Sequence, residues 1–166
     1  MITKVKGTQD FVDLTLFNFI VNQTKKHIAQ YNFYEIKIPT LEHTELFQRS
    51  LGQHTDVVSK EMFKIDTSGK SEESICLRPE ATASIARSFI DNNIDQLPWK
   101  VFTYGPMFRY ERPQKGRFRE FNQVSIEVIG SKSIAQDAYL IKMLDRLFKD
   151  KFLLDNYAIL DNILKS

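Results

Sequence analysis

Apolar residues recur along this chain with two different periods, and each change of period marks the end of an element. Between residues 13 and 31 the spacing is helical, and one face carries Phe17, Ile20, Val21, Thr24, Ile28 and Tyr31. Asp13 is a residue type that caps the start of a helix. The pattern therefore predicts a first helix over 13–31, with that face packed on a core.

After this helix the pattern alternates. Residues 34–39 predict a strand that presents Tyr34, Ile36 and Ile38 to a core and is ended by Pro39. A short helix is predicted over 42–51, closed by Gly52. Two further strands are expected within MFKID (62–66) and SICLR (74–78), on either side of a polar turn over 67–73.

In the second half of the chain, Pro79 and Glu80 open a predicted helix over 81–91. Strands are expected over 100–110 and 118–129, and the start of another over 157–164. Between them a long helix is predicted over 133–152, with an apolar face made of Ile134, Ala138, Ile141, Leu144 and Phe148. Hairpin-linked strands with helices to one side predict an α+β fold, an antiparallel sheet flanked by helices.

Composition limits the class of protein. The chain has 166 residues, of which 42% are hydrophobic and 27% charged, as expected for one globular domain. The single cysteine, Cys76, excludes an internal disulfide and favours a reducing compartment. Because we find neither a membrane-length apolar run nor the apolar core of a signal peptide, we expect a cytoplasmic protein without a membrane partner.

Charge is unevenly distributed. The net charge is only +2, yet the stretch FRYERPQKGRFREFNQ (108–123) holds five cations and two anions among four aromatics. Pro113 to Gly116 predicts a turn, and the flanks alternate like strands. Two interpretations are open: a clamp that binds an anion, or an ordinary solvated hairpin, which is the commoner case.

The strand after this turn has two different faces. Asn122, Val124, Ile126 and Val128 form a mostly apolar face, and Phe121, Gln123, Ser125 and Glu127 form a polar stripe. A strand wetted on one side would show the same pattern. What favours a binding floor is that Glu127 shares the stripe with Gln123, close to Arg117 and Arg119, since opposed charges on a sheet can hold a zwitterion.

LRPEAT (77–82) is a second candidate site. Pro and Glu at a helix start are ordinary capping chemistry, worth about 0.3–1 kcal/mol, and taken alone the motif favours that interpretation. The functional alternative is that Glu80 and Thr82 accept hydrogen bonds from an ammonium group.

Three other sequence features do not predict a phosphate, metal or nucleophile site. Gly69-Lys70-Ser71 resembles the end of a phosphate-binding loop, but the first glycine of that motif would fall at Lys64. The three histidines, His27, His43 and His54, lack metal-ligand spacing, so we expect no metal site built by the protein. Cys76 lies in an apolar strand, which favours burial over a role as nucleophile.

Four blocks stand in an order that resembles the catalytic domain of class II aminoacyl-tRNA synthetases, specifically the histidyl-tRNA synthetase family. They are KGTQD (6–10), IPTLEHTELFQRSLGQHTDVVSKEMF (38–63), LRPEAT (77–82) and YGPMFRYERPQKGRFREFNQVSIEVIG (104–130). The resemblance runs from Lys4 to about Leu160, and FRYERPQKGRFREF is its most specific part. It implies a single, truncated class II catalytic domain over 1–166, with motif 1 at about 31–52 and motif 2 at about 100–130.

The resemblance also implies site residues. Arg109 would be the catalytic residue, contacting both the α-phosphate and the amino-acid carboxylate. The predicted ATP set is Arg109, Glu111, Arg117 and Phe121, for the α-phosphate, the adenine amino group, the outer phosphates and the adenine ring respectively. The predicted histidine set is Glu80, Thr82, Arg109, Gln123 and Glu127, with Glu127 bonded to the imidazole.

The implied activity is ATP-dependent activation of histidine, with Mg²⁺ bridging the phosphates, followed by transfer to tRNA(His). A planar guanidinium can bond two anions at once, which suits Arg109. A buried carboxylate at Glu127 would reject apolar analogues by ~10⁴ or more. The resemblance further implies a homodimer formed through motif 1.

The same resemblance predicts an incomplete enzyme. The six glycines never cluster, so the Gly-rich motif 3 with its arginine is missing, as are a histidine-specific block and the anticodon-binding domain. We therefore expect an N-terminal part of the catalytic domain, inactive by itself.

Two rival functions are weaker. A regulatory subunit of the ATP phosphoribosyltransferase type would tend to lose the segment Glu111–Gln114, which is intact here. An RNA-binding module would predict steep salt dependence, but it leaves LRPEAT and the Gln123/Glu127 stripe unexplained.

Overall fold

The computed structural model describes residues 2–52, 55–66, 68–69 and 73–152. The helices are α1 Thr15–Ala29, α2 Thr44–Leu51, α3 Thr82–Asp91 and α4 Ile134–Arg146, with π-helical turns at Val57–Glu61 and Leu147–Lys151. The strands are β1 Tyr34–Glu35, β2 Leu41–His43, β3 Lys64–Ile65, β4 Ile75–Leu77, β5 Trp99–Phe108 and β6 Glu120–Ile129. No helix within these ranges has the length and apolar content needed to cross a membrane.

The strands form two small sheets. In the main sheet, ordered β1-β5-β6, the two long strands pair antiparallel from Trp99 opposite Ile129 to Phe108 opposite Glu120. The second sheet, ordered β2-β4-β3, is antiparallel throughout. The α+β prediction is confirmed, with two departures. Strand β1 pairs parallel with β5, which the long intervening segment allows, and helices pack on both faces of the main sheet instead of to one side.

Side chains from both faces of the main sheet build the core. Val101 and Phe102, neighbours on β5, point to opposite faces because strand side chains alternate. Val101 packs with Ile38 and Ile85 on the side of α3. Phe102 packs with residues of α1 and α4 on the other side. A third cluster, around Phe47, Val58, Met62, Cys76 and Ala83, joins the second sheet to α2 and α3.

The first predicted helix and strand needed correction. Helix α1 starts at Thr15, whose backbone N–H donates to the Asp13 carboxylate over 2.8 Å. Its buried residues are Thr24, His27 and Ile28, whereas Ile20 is 42% exposed. Tyr34 is 72% exposed instead of facing a core, because β1 covers only two residues and pairs on one side with β5.

Helix α4 packs through a face that only partly overlaps the predicted one, with Leu144 of the predicted set packed against the core. Met143 is buried beside Ile28 and Phe33, and Leu147 is also buried, whereas Ile134 is 85% exposed. The apolar residues of this helix are spaced so that more than one face could be buried, and the face that is buried is the one that contacts α1 and the sheet. Glu42 belongs to β2 rather than to the second helix. The strand predicted over 157–164 and most of the turn over 67–73 lie outside the described residues.

Candidate active site

The charged segment 108–123 is a hairpin, as predicted. Pairing continues beyond the ends of β5 and β6, where the Arg109 N–H donates to the Arg119 carbonyl over 2.9 Å. At the tip, Gln114 and Arg117 pair across a tight turn. Gly116 has a φ of +80°, a conformation that favours glycine. Five cations are thereby carried on a single projecting loop and its base.

Arg119 is fixed by hydrogen bonds from both its backbone and its guanidinium to other parts of the chain. Its backbone N–H donates to the Gly7 carbonyl over 2.7 Å, and its guanidinium donates to the carbonyls of Lys6 and Glu111, both at 3.3 Å. The guanidinium also stacks 3.9 Å from the centre of the Tyr110 ring. The N-terminal KGTQD segment is therefore docked on the hairpin, a contact that sequence analysis did not anticipate.

A cavity of about 500 Å³ lies beside the hairpin. All four members of the predicted ATP set line it, and its other lining residues are Asp56, Val57, Glu61, Gly116 and Phe118. Glu111 lies between two cations, 3.4 Å from the nearest guanidinium nitrogen of Arg117 and 4.0 Å from that of Arg109. A mixed wall of arginines, one carboxylate and aromatic rings can contact phosphates and a flat base together.

Arg109 is fixed from two directions. Its Nε donates to the Pro79 carbonyl over 2.9 Å, and its guanidinium carbon lies 5.3 Å from the centre of the Phe121 ring. The first contact ties the hairpin to the LRPEAT segment. The second is a cation–π contact, which orients the planar guanidinium.

Members of the predicted histidine set meet where α3 starts. The Thr82 hydroxyl donates to Glu127 Oε1 over 2.7 Å, joining α3 to β6. The Glu80 carboxylate accepts from the backbone N–H groups of Thr82 and Ala83 at 2.5 and 3.0 Å. The capping interpretation of Glu80 is thus confirmed. Gln123 lies on β6, where its amide donates to the Ser125 hydroxyl over 2.8 Å.

Sequence analysis missed Arg78. Only 3% exposed, it donates from Nε to the Pro106 carbonyl over 3.0 Å and from Nη1 to the Ile38 and Pro39 carbonyls at 2.9 and 3.2 Å. Burial lowers the pKa of this guanidinium. The sequence signal that could have identified it is a cation placed between Leu77 and Pro79 in an apolar stretch, a position that predicts burial.

A second missed pair involves Arg87 of α3 and the buried carboxylate of Glu42, with nitrogen–oxygen distances of 2.6 and 3.0 Å. Cys76 is buried, as predicted, and burial raises the pKa of its thiol. Across the part of the chain that the structure describes, no three His, Cys, Asp or Glu residues are grouped as metal ligands.

Comparison with known proteins agrees with this geometry. The sequence profile of a family described as histidyl-tRNA synthetase matches residues 17–159, which is most of the chain. The chain belongs to the histidyl-tRNA synthetase family. Two curated histidine–tRNA ligases are close in sequence, one from Thermosipho africanus at 46% identity and one from Mycoplasma mycoides subsp. mycoides at 43%.

These alignments cover 96% and 99% of this chain but only 38% and 40% of the two ligases, so the chain spans about two fifths of their length. Among solved structures, apo histidyl-tRNA synthetase from S. aureus superposes with a TM-score of 0.71 at 33% identity, over 90% of this chain and 35% of that one.

A protein from Bacillus halodurans C, described as an ATP phosphoribosyltransferase regulatory subunit/histidyl-tRNA synthetase, superposes with a TM-score of 0.72 over 93% of this chain and 39% of its own length. At 24% identity, this superposition shows a shared fold alone. The predicted family and the fold of a partial class II catalytic core are both confirmed.

Proposed function

We propose that this chain is the part of a histidine–tRNA ligase that binds ATP and histidine, which the whole enzyme joins as histidyl-adenylate, and that this part is inactive by itself. The observation that supports this best is the cavity lined by Arg109, Glu111, Arg117 and Phe121. Arg109 also bonds Pro79, the residue next to Glu80, so the predicted ATP set adjoins the predicted histidine set.

In this proposal Arg109 performs the central task. A carboxylate oxygen of histidine attacks the α-phosphorus of ATP, and the bond from that phosphorus to the pyrophosphate oxygen breaks. The two reacting groups are both anionic and repel each other. A guanidinium bonded to both brings them together and offsets the charge that develops. Arg117 then contacts the outer phosphates, while Glu111 accepts from the adenine amino group beside the ring of Phe121.

Magnesium enters as the usual companion of ATP, bound by the phosphates and by at most one or two carboxylates. Glu61, which lines the cavity, is a ligand of the right type. The ion would neutralise phosphate charge, and the protein residues would position the nucleotide.

Histidine is assigned to the region around the Thr82–Glu127 hydrogen bond. Glu80, Thr82 and Gln123 would take the ammonium group, and Glu127 would accept from the imidazole. Glu127 is partly buried, so an apolar substrate would leave its carboxylate without a partner, which is costly.

The wider assignments follow from the same proposal. The activated histidine passes to tRNA(His), motif 1 at 31–52 forms a homodimer, motif 2 lies at 100–130, and the protein works in the cytoplasm without a membrane partner. The residues 1–166 would form one truncated class II catalytic domain. Glu111 belongs to the segment that separates ATP-using members from regulatory subunits, and its place between Arg109 and Arg117 supports the ATP-using alternative.

Calorimetric titration of the 166-residue chain with a non-hydrolysable histidyl-adenylate analogue tests this function, with the seryl analogue beside it. We expect selective binding of the histidyl compound and its loss in Glu127→Ala. Glu120→Ala, which removes an exposed carboxylate from the same strand, is the matched control and should bind normally. If the folded chain binds neither analogue, or binds both with equal affinity, the proposal is overturned.

A further inference from the structure

Arg78 is a buried cation whose three acceptors are all backbone carbonyl oxygens. They belong to two separate parts of the chain, the segment Ile38–Pro39 before β2 and Pro106 on β5. Its own backbone adds to the connection, since Arg78 N–H donates to Thr40 and the Arg78 carbonyl accepts from Phe108 N–H, both at 3.0 Å. One residue therefore links β4, β5 and the entry to β2.

Gly105 provides the space for this guanidinium. A Cβ built on Gly105 would lie 2.6 Å from Nη2 of Arg78, closer than such atoms approach. The backbone of Gly105 lies outside the left-handed region, because the glycines with positive φ are Gly7, Gly52, Gly69, Gly116 and Gly130. A side chain at 105 would therefore displace Nη2 of Arg78, so the neighbouring arginine, and not the backbone conformation, favours glycine there.

The residues that follow Arg78 are those that hold the proposed site. The Pro79 carbonyl accepts from Arg109 Nε over 2.9 Å. The Glu80 carboxylate caps α3 at Thr82, whose hydroxyl bonds Glu127. A shift of residue 78 would move the anchor of Arg109 and the start of α3 together.

We propose that Arg78 is a positioning residue for Arg109 and Glu80, and that Gly105 lacks a side chain in order to admit its guanidinium. Its catalytic consequence rests on the function proposed above. Arginine suits this role because its planar fork donates in several fixed directions at once. Lysine keeps the charge but places its three donors on one nitrogen, so it does not reproduce the separate positions of Nε and Nη1 that bond Pro106 and the Ile38–Pro39 carbonyls.

The first test follows the Arg109 Nε–H group by NMR in the 166-residue chain, with its signal identified by loss in Arg109→Lys. In Arg78→Lys we expect the exchange of this proton with water to be roughly tenfold faster, the size of one lost hydrogen bond. Arg87→Lys weakens a different partly buried arginine that pairs with Glu42, and it should leave this exchange unchanged. Equal exchange in wild type and Arg78→Lys would overturn the positioning role.

The second test uses Gly105→Ala, which keeps Arg78 and so remains available if Arg78→Lys fails to fold. It should accelerate the same exchange and lower the unfolding midpoint. Adding Gly105→Ala to Arg78→Lys should lower the midpoint by less than in wild type, because the second guanidinium nitrogen is then gone. Strictly additive effects of the two substitutions would contradict the inferred fit.

Affinity for the histidyl-adenylate analogue separates this inference from the proposed function. If wild type binds it, Arg78→Lys and Gly105→Ala should bind roughly tenfold more weakly, while Arg87→Lys binds normally. Faster Arg109 exchange in a chain that never binds the analogue would uphold the positioning role and reject the function. Unchanged exchange together with unchanged affinity would reject the positioning role and keep the function.

Discussion

The hydroxyl of Thr82 donates to the carboxylate of Glu127 over 2.7 Å, across 45 positions of sequence. This contact joins the first residue of α3 to the polar stripe of β6. Two residues that the family resemblance assigned to one substrate are thereby brought into direct contact. The pairing also orients the carboxylate, since the hydroxyl bonds one of its two oxygens.

Replacing Thr82 by valine tests whether that contact contributes to ligand binding. Valine keeps the shape but removes the donor, so affinity for the histidyl-adenylate analogue should fall roughly tenfold. Thr82→Ser retains the hydroxyl and should bind within about twofold of wild type under the same principle. Calorimetric titration of the two variants measures the difference, and equal affinities would show that the hydroxyl is dispensable.

The ion pair between Arg87 and Glu42 should dominate the attachment of α3 to β2. Glu42 has only 4% of its side chain exposed, so Arg87→Ala leaves a buried carboxylate unpaired and should lower the free energy of unfolding by about 3 kcal/mol. Arg49→Ala removes an exposed pair with Glu45 and should cost under about 0.5 kcal/mol. Urea denaturation distinguishes the two, and similar costs would contradict this assignment.

The buried thiol of Cys76 makes stability depend on alkaline pH. Because burial raises its pKa in the folded state, the unfolded chain loses the thiol proton first as the pH rises. The stabilising contribution is complete below the ordinary thiol pKa and declines as the pH rises toward the raised value. The free energy of unfolding of the wild type should therefore fall more steeply between about pH 8 and 10 than that of Cys76→Ala, since this range brackets the free thiol pKa of about 8.5. Denaturation curves recorded at each pH measure the two slopes.

The same burial predicts slow reaction with iodoacetamide in the native chain and rapid reaction in urea. Fast native alkylation, or parallel pH slopes for the two proteins, would show that the thiol is accessible.

Gly7 holds the N-terminal segment against the hairpin. Its φ is +90°, and a Cβ there would lie 2.9 Å from Arg119 Cγ and 3.0 Å from Pro113 Cγ. Gly7→Ala should therefore destabilise the docked segment by more than the ~1 kcal/mol of backbone strain alone. Limited proteolysis near residue 7 should report the release.

Gly116→Ala is the matched control, because its φ is +80° and nothing lies within 4 Å of a Cβ built there. It carries the backbone strain without the collision. If Gly116→Ala and Gly7→Ala have equal effects on unfolding and cleavage, the contact with Arg119 contributes nothing.

Much of the fold could be predicted from local pattern. The hairpin of β5 and β6, the helix after Pro79 and the two faces of β6 all follow from alternation, turn residues and helix-start signals. The predicted ATP set came from the specific order of residues between Phe108 and Gln123, and all four members line one cavity. Their proposed contacts with ligands stay predictions.

The errors have a common origin. Ile134 and Met143 both suit an apolar helix face, but only Met143 is buried, because α4 packs on Ile28 and Phe33 through that side. Tyr34 fits the alternation of a strand, but it is exposed because β1 is two residues long. The periodicity of apolar residues indicates that a helix or strand has an apolar face, but tertiary packing decides which part of that face another element covers.

The sequence by itself determined the order of the helices and of most strands, the charged hairpin and the family, since each depends on residues close together in the chain, but it missed β2. Tertiary structure alone decided the partners of buried polar groups. Arg78 bonds carbonyls 28 to 40 positions away, and Arg87 bonds a carboxylate 45 positions away. A buried charge must find its acceptors in three dimensions, and no local pattern records which carbonyls the folded chain brings within reach.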